Sequence, residues 1–452
     1  MNRLECLGSG GRMALGARVA VLSLIPLIAM VAALPARAAP SHTEGASTAK
    51  EATSPAAASG HSAAQRPARQ RPPPLAIGAA FAPDGALWTV GLDAQRRLVL
   101  QRSRDQGRSW QEPQMLDVAG DTVVADGENR PKLAFGPGGL VVVSYTKPLP
   151  KPFTGEVRLL RSADGGKTFA PPVTVHADRS IITHRFESIL FDRNGTLHTV
   201  WIDKRDGEAV RATGRPYRGA GIYRNESRDG GLTFGPDIKV ADHSCECCRI
   251  ALAPTSDGGV AAMWRHVFEP NERDHAFASW PTLANGATAV AERTRQGISP
   301  TSPVPVRATF DRWALDACPH HGPGLSAAAD GGWHAVWFGI RAGQAGVRYG
   351  RLDAMGRPLS SVPVRAVPDP GAEHADVAAI GSQVVVVWRS FDGQRFTIRA
   401  WVSRDGGQRF ELRELAHTVH ANDQPRLVSD GTRLWLLWRD VHRTQVEVID
   451  VH

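Results

Sequence analysis

Tyrosine and long apolar runs are both scarce in this sequence of 452 residues. It contains four tyrosines, and all aromatic residues together make up 7% of the chain. One long apolar run stands out, VAVLSLIPLIAMVAAL at residues 19–34, and no second run of comparable length follows it. Because a membrane-spanning helix needs about 20 apolar residues, we expect no membrane insertion after residue 38.

An excess of positive charge is also missing from most of the chain. The formal net charge is +8, but residues 1–71 hold eight Lys/Arg and three Asp/Glu, so the remaining 381 residues carry about +3. Nucleic-acid-binding domains present a basic surface to the phosphate backbone. The sequence therefore predicts no nucleic-acid partner.

The first 75 residues lack the composition of a folded domain. Residues 1–38 combine scattered arginines, the apolar run and the small-x-small sequence Ala36-Arg37-Ala38, which is typical of a Sec-type signal peptide. Residues 39–75 are rich in Ala, Ser and Pro and nearly free of large apolar side chains, so they cannot offset the entropy of ordering. We predict a signal peptide, a disordered leader and a periplasmic or secreted location.

Helical periodicity is absent from the rest of the chain, where one unit of two apolar strands and a glycine turn returns seven times. The turn glycines are Gly85, Gly138, Gly195, Gly258, Gly331, Gly381 and Gly431, at intervals of 50 to 73 residues. A strand-only repeat of this length is typical of a β-propeller. The sequence predicts an all-β, seven-bladed β-propeller over residues 76–452.

Four short segments between the repeat units share a second motif. They are SRDQGRSW at 103–110, SADGGKTF at 162–169, SRDGGLTF at 227–234 and SRDGGQRF at 403–410. This motif resembles the Asp-box of the sialidase-like (BNR-repeat) β-propeller family. An Asp that bonds the amides of its own turn, followed by glycines, suits a hairpin, so we interpret the boxes as structural turns.

The resemblance leaves the number of blades open, because many sialidases have six, and a six-bladed propeller is the alternative. The seventh unit ends as QVEVIDVH after three strands. We therefore expect residues just before Ile77 to supply a fourth strand to the last blade and close the ring.

One end of the disc collects most of the reactive side chains. If the Asp-boxes join the third and fourth strands of their blades, the opposite end gathers the residues that precede each first strand and follow each second strand. All four cysteines after residue 38 fall there, in two adjacent crossovers: Cys245, Cys247 and Cys248 before the fourth blade, and Cys318 before the fifth. We expect the two crossovers to converge.

Three kinds of chemistry fit these cysteines. An even number in an oxidising compartment favours disulfides, free or redox-active thiols are a third reading, and thiolates with imidazoles suit copper(I) or zinc. Copper is preferred because Cys-x-Cys-Cys is cramped for a tetrahedral zinc site. His320 and His321 in CPHHGP and His266 after a second strand are the candidate imidazole ligands.

The family resemblance implies a second function on the same face, exo-sialidase or other glycoside hydrolase activity on a glycan. Sialidases hold the sugar carboxylate with three arginines and attack with a tyrosine assisted by a glutamate. Arg130, Arg249 and Arg426 each lie at the start of a first strand, although the family's Arg-Ile-Pro motif survives only as NRPKL and RIAL. Tyr145 and Tyr217 are the candidate nucleophiles, and Glu187 is the candidate partner. A small ligand, a metal ion or a glycan thus remains the expected partner, and the sequence does not tell whether there is a protein partner.

Overall fold

Seven antiparallel sheets follow one another along the chain in a computed structural model that describes residues 74–281 and 303–450. Six sheets have four strands and the last has three. Strands that are consecutive in the sequence are neighbours in each sheet. This arrangement confirms the seven-bladed β-propeller and excludes the six-bladed alternative. The predicted signal peptide, and the predicted leader up to residue 73, lie outside the described residues.

The blades are formed by strands of two to nine residues. Blade 1 contains β1 (Gly78–Phe81), β2 (Leu87–Leu92), β3 (Leu98–Ser103) and β4 (Gln114–Met115); blade 2 contains β5 (Lys132–Phe135), β6 (Val141–Pro148), β7 (Gly155–Ser162) and β8 (Val173–Thr174). Blade 3 contains β9 (His184–Phe191), β10 (Leu197–Asp203), helix α1 (Arg205–Ala212), β11 (Ala220–Ser227) and β12 (Ile238–Ser244); blade 4 contains β13 (Ala251–Pro254), β14 (Val260–Arg265), β15 (His275–Trp280) and β16 (Val306–Arg307). Blade 5 contains β17 (Gly324–Ala327), β18 (Trp333–Arg341), β19 (Gln344–Leu352) and β20 (Arg365–Ala366). Blade 6 contains β21 (Ala372–Ile380), β22 (Gln383–Phe391), β23 (Phe396–Ser403) and β24 (Glu411–Thr418); blade 7 contains β25 (Arg426–Ser429), β26 (Leu434–Arg439) and β27 (Thr444–Val448).

The hydrophobic core lies between successive blades. The second strands β2, β10 and β14 are buried along their whole length, because blades pack against both of their faces. Several second strands carry a fully buried tryptophan near their ends: Trp201 in β10, Trp264 in β14, Trp388 in β22 and Trp438 in β26. Each apolar cluster joins neighbouring blades, and one unites the cysteine-bearing crossover with the second strands of blades 3 and 4.

The Asp-boxes form the turns between third and fourth strands, as predicted. In the box after β7, Asp164 accepts hydrogen bonds from the amide and the hydroxyl of Thr168, and the Ser162 hydroxyl donates to the same carboxylate. Gly166 follows with φ +79°, and a Cβ there would lie 2.6 Å from the Trp88 ring of blade 1. Only glycine fits that position, so the box also fixes the contact between two blades.

The prediction that residues before Ile77 complete the last blade is wrong for residues 74–77, which form no strand. The Ile77 amide instead donates to the Asp423 carboxylate, and its carbonyl accepts from Arg130. Phe81 packs on Trp435 with ring centroids 5.7 Å apart. Among the described residues, contacts made by side chains therefore join blade 7 to blade 1.

Helix α1, between β10 and β11, has no counterpart in the sequence prediction. Its first turn carries Asp206 and Glu208 and its last turn carries Arg211, which matches the helix dipole. This charge pattern is the feature of the sequence that could have indicated the helix. Among the described residues, the helices are all too short or too polar to cross a membrane.

Candidate metal centre

The cysteine-bearing crossover runs from the end of β12 to the start of β13. The Cys245 amide donates to the Arg265 carbonyl over 2.9 Å, and the Ser244 hydroxyl donates to the Cys245 carbonyl over 2.8 Å. The first of these bonds holds the crossover against the end of β14. The three cysteines are 1%, 5% and 2% exposed, and they pack with Phe186, Ile250 and Trp264 in one apolar cluster.

The three sulfur atoms form a nearly equilateral triangle. The Sγ–Sγ distances are 3.7 Å for Cys245–Cys247, 3.8 Å for Cys245–Cys248 and 3.9 Å for Cys247–Cys248. All are far longer than the roughly 2.05 Å of a disulfide bond. A metal ion with metal–sulfur bonds of about 2.3 Å requires tetrahedral sulfur–sulfur edges of about 3.8 Å. The triangle therefore has the size of a thiolate metal site, and these cysteines are a group that could hold a metal ion.

Cys318 lies beside this triangle but differs from it in exposure. Its side chain is exposed, whereas the other three thiols are buried. Interactions with the thiols of Cys247, Cys248 and Cys318 lower the pKa of the Cys245 thiol well below its ordinary value. The interaction with Cys245 in turn raises the pKa of Cys318. The two crossovers meet at this point, because Cys247 and Cys318 line the same cavity and Arg265, at the end of β14, donates to the His321 carbonyl.

Arg265 places an unneutralised positive charge next to the sulfur atoms. Its side chain is 1% exposed, and its guanidinium donates to the backbone carbonyls of Arg273, His321 and Phe338. In the part of the chain that the structure describes, Arg265 has no salt bridge to a carboxylate. Its charge contributes to lowering the pKa of Cys245. A buried cation without a counterion is costly, and an anionic metal–thiolate cluster would supply one.

Glu128, in the crossover before β5, joins the two cysteine-bearing crossovers. One carboxylate oxygen accepts from the Arg249 amide at 2.8 Å and from the Gly322 amide at 2.9 Å. The other accepts from the Arg249 guanidinium at 2.9 Å. Burial alone would raise the pKa of Glu128, but the Arg249 charge outweighs it and holds that pKa far below its ordinary value. Glu128 therefore stays ionised and ties Arg249, next to Cys248, to the loop that follows Cys318.

A cavity of about 630 Å³, which we call the vestibule, opens beside the triangle on the same face. Its wall includes Cys247 and Cys318, whereas Cys245 and Cys248 are not among its lining residues. The other lining residues are Asp126, Gly127, Glu128, Phe153, Thr183, Arg185, Phe186, Lys204, Glu246, His320, His374 and Gln424. The sulfur triangle thus meets the vestibule through one of its corners.

The predicted histidine ligands lie around the cysteines but not within the tight group. In the described part of the chain, the group of residues whose potential ligand atoms all lie within 4.8 Å of one another consists of the three cysteines. His320 lines the vestibule. His321 stacks on Phe338 at 4.3 Å, and burial lowers its pKa to about 3. His266 packs on Phe268 at 4.5 Å, and burial lowers its pKa to about 4.

The three predicted arginines do meet, at the central channel of the disc. Arg130, Arg249 and Arg426 line a channel cavity of about 220 Å³ together with Lys132. Arg130 is held by a two-pronged pair with Asp423, at 2.8 and 3.1 Å, and Arg249 is held by Glu128. Two of the three guanidinium groups are therefore already neutralised by buried carboxylates.

Arg426 is the least neutralised of the three arginines. Its Nε lies 3.4 Å from Asp376, and its Nη1 has no hydrogen-bond partner. Burial lowers its pKa to about 10. A single guanidinium of this kind does not make the three-arginine clamp that the resemblance implies.

The candidate tyrosines lie away from Glu187. Tyr145 is fully buried and donates to Asp121 at 2.9 Å, while the neighbouring Ser144 and Thr146 donate to Glu187. Successive residues of a strand point to opposite faces, so Tyr145 points away from Glu187. Tyr217 follows α1 and donates to Asp242 at 2.8 Å. Burial raises the pKa of both hydroxyls, which does not favour either as a nucleophile.

Glu128 and Arg265 both organise the site, but the sequence indicates their positions to different degrees. Arg265 ends β14 directly before His266, so the sequence places it on the same face, but only the fold shows that it lacks a carboxylate partner. Glu128 precedes Asn129 and Arg130 in GENRPKL, and only the fold reveals that it reaches across to blades 4 and 5.

Comparison with solved structures agrees with this architecture. An ulvan lyase of polysaccharide lyase family PL25 aligns over 83% of this chain and 92% of its own, with 12% identity and a TM-score of 0.51. A Hadza microbial sialidase, Hz136, aligns over 79% of this chain and 74% of its own, with 14% identity and a TM-score of 0.46. YCF48 bound to D1 peptide aligns over 84% and 94%, with 15% identity and a TM-score of 0.46. No protein-family model and no curated protein matches the chain. At these identities, what the chain shares with the lyase is the β-propeller fold.

Proposed function

We propose that this protein binds a soft transition metal ion, copper(I) in preference to zinc, through the thiolates of Cys245, Cys247 and Cys248. The observation that carries the proposal is the sulfur triangle with edges of 3.7 to 3.9 Å. An ion at its centre would lie roughly 2.2 Å from each sulfur, close to ordinary metal–thiolate bond lengths. Cys318 is the candidate for a fourth ligand.

The surroundings of the triangle support an anionic cluster. Three thiolates and one copper(I) ion carry a net charge of −2, which would be expensive to bury alone. Arg265 is buried beside the sulfur atoms, and its donors reach backbone carbonyls. Because no carboxylate pairs with Arg265 among the described residues, its charge can act as a counterion for the cluster.

The donor set supports copper(I) over zinc. Soft thiolates select copper(I) and zinc among the common metals, but structural zinc is almost always four-coordinate. Here the mutually close donors number three, and the fourth thiol is exposed at the edge of the vestibule. Three close sulfurs with a more distant fourth suit a three-coordinate ion.

The test is an anaerobic titration of the reduced protein with copper(I) against a competing chelator. We expect one tightly bound ion per chain in the wild type. Cys247→Ser should weaken binding by more than about 100-fold, because even outer-shell changes at metal sites cost 10 to 100-fold. The same titration with zinc should give weaker binding than with copper(I).

Two histidine variants complete this experiment. His320→Ala/His321→Ala measures whether the neighbouring imidazoles add to the affinity, and His417→Ala, which alters an exposed histidine of blade 6, is the matched control. Equal affinity for copper(I) in wild type and Cys247→Ser would overturn the proposal and leave the cysteines as a structural cluster.

A further inference from the structure

We propose that the vestibule receives the metal as a complex with a small thiol that also carries a carboxylate, and that Cys318 takes the metal from this carrier before the buried triangle does. This inference rests on the proposed metal site and adds the chemical class of the molecule that delivers the ion. It is carried by the cavity, by the different exposure of the four thiols and by Arg185, whose buried Nε has no hydrogen-bond partner.

The vestibule is much larger than a bare ion needs. Its volume of about 630 Å³ lies within the 300 to 1,000 Å³ that is usual for small-molecule sites. Phe153, at the turn between β6 and β7, and Phe186, in β9, give it two aromatic walls. A cavity of this kind fits an organic ligand with an apolar portion around the metal.

The four thiols form a path from this cavity into the protein. Cys318 is exposed and lines the vestibule, Cys247 lines it while being 5% exposed, and the remaining two thiols lie behind them. A metal held by a carrier in the vestibule would therefore meet Cys318 and Cys247 first. Cys245 and Cys248 can complete the site only afterwards.

Arg185 offers the vestibule a docking point for a carboxylate. Its Nε is buried without a hydrogen-bond partner, and its nearest carboxylate, that of Asp126, is 3.8 Å away on a side chain that is 55% exposed. The other acidic side chains of the wall are engaged, Glu128 by Arg249 and Glu246 by Lys204 at 2.5 Å. Arginine prefers planar, two-pronged partners such as carboxylates.

The backbone around the vestibule is held in an uncommon conformation. Four of its lining residues, Phe153, Phe186, His320 and His374, have φ between +51° and +63° although none is glycine. Non-glycine residues rarely adopt this region, and such positions concentrate at ligand sites. The fold therefore maintains the shape of this cavity at a local energetic cost.

The transfer is a ligand exchange without oxidation or reduction. The Cys318 thiol loses its proton and its sulfur bonds to the metal, while one carrier thiolate leaves the metal and takes up a proton from solvent. Cys247 then displaces the remaining carrier thiolate and Cys245 displaces Cys318, each incoming thiol passing one proton to the thiolate that leaves. Cys248 adds as the third ligand and releases its proton to solvent. The ion keeps its charge throughout, and the carrier leaves as a free thiol.

The experiment follows the transfer of copper(I) to the reduced protein by anaerobic stopped-flow fluorescence, with copper analysis of the product. The carriers are the copper(I)–glutathione complex, which has a thiolate and carboxylates, and copper(I) in dilute acetonitrile, which has neither. With glutathione, the rate should saturate as the carrier concentration rises. Arg185→Gln should slow transfer from glutathione about tenfold, the equivalent of one charge-assisted hydrogen bond, and should leave transfer from acetonitrile within about twofold.

Two further variants separate the steps. Cys318→Ser should slow transfer from both carriers while the final affinity changes much less than in Cys247→Ser. Arg357→Gln, in an exposed turn on the opposite face, should change neither rate. A rate that never saturates, or an Arg185→Gln effect of equal size with both carriers, overturns the inference while the metal site stands. Absence of copper(I) binding at equilibrium overturns the proposed function itself.

Discussion

Replacing Glu128 by Gln should destabilise the protein and weaken its metal site together. Glu128 is 4% exposed and accepts three hydrogen bonds of 2.8 to 2.9 Å, two from Arg249 and one from Gly322. A glutamine side chain keeps one acceptor oxygen, and its NH₂ group would face N–H donors of Arg249 or Gly322 instead of accepting from them. Arg249, which is 6% exposed, loses the partner of its charge.

The expected loss of unfolding free energy follows from the removal of one partner of a buried ion pair. Such changes cost about 3 to 5 kcal/mol, because the remaining charge stays buried and unpaired. Glu128→Asp keeps the charge with a shorter side chain and should cost less. Glu128→Gln/Arg249→Met removes both charges and should cost less than the sum of the two single variants.

The assay is denaturant unfolding of the reduced, metal-free protein, followed by the copper(I) competition titration. Since Glu128 links the crossovers of Cys248 and Cys318, its loss should also weaken copper(I) binding by about 10 to 100-fold, as for other outer-shell residues. A loss of less than about 1 kcal/mol in Glu128→Gln, with unchanged copper affinity, would refute the assigned role.

Three further variants test other parts of the structure. Burial lowers the pKa of His176 to about 3, so between about pH 3 and 6.5 the unfolded state binds more protons than the folded state, and stability should fall as the pH drops through this range. In His176→Gln, the slope of unfolding free energy against pH should be shallower. In denaturant unfolding, Gly407→Ala should destabilise the protein by about 1 to 3 kcal/mol more than Gly406→Ala. Both glycines have positive φ, but only a Cβ at position 407 would meet the Tyr349 hydroxyl, at 2.1 Å, so equal losses would contradict this reasoning. Arg265→Met should lower copper(I) affinity about 10 to 100-fold while Arg265→Lys retains most of it, and equal affinities in the competition titration would show that the charge is irrelevant.

The fold could be predicted from the sequence because its determinants are local and repeated. Each glycine turn and each Asp-box specifies a hairpin with its own few residues, so seven copies identify the architecture without knowledge of any long-range contact. Helix α1 and the ring closure were missed for the opposite reason. The helix occurs once, and the Ile77–Asp423 bond joins residues 346 positions apart.

The sequence predicted which face of the propeller carries the candidate site, but not the contacts within it. The alternation of turns placed Cys245, Cys247, Cys248 and Cys318 on one end of adjacent blades, and their convergence followed from that. The sequence could not reveal that Arg130 and Arg249 are occupied by Asp423 and Glu128, because those pairs cross the channel between non-adjacent blades. Charge neutralisation of this kind depends on distances that no short motif encodes.

The closure of the ring by side chains has a mechanical consequence. The blade 7 sheet has three strands in the described chain, and the contacts of Ile77, Asp423 and Arg130 gather at one end of the seam with blade 1. The Phe81–Trp435 ring contact adds to this seam, so a load that pulls residue 74 away from residue 450 would act first on a few side-chain contacts and only later on the hydrogen bonds within the sheets. We therefore expect the propeller to open first at the seam between blades 7 and 1, while blades 2 to 6 remain folded.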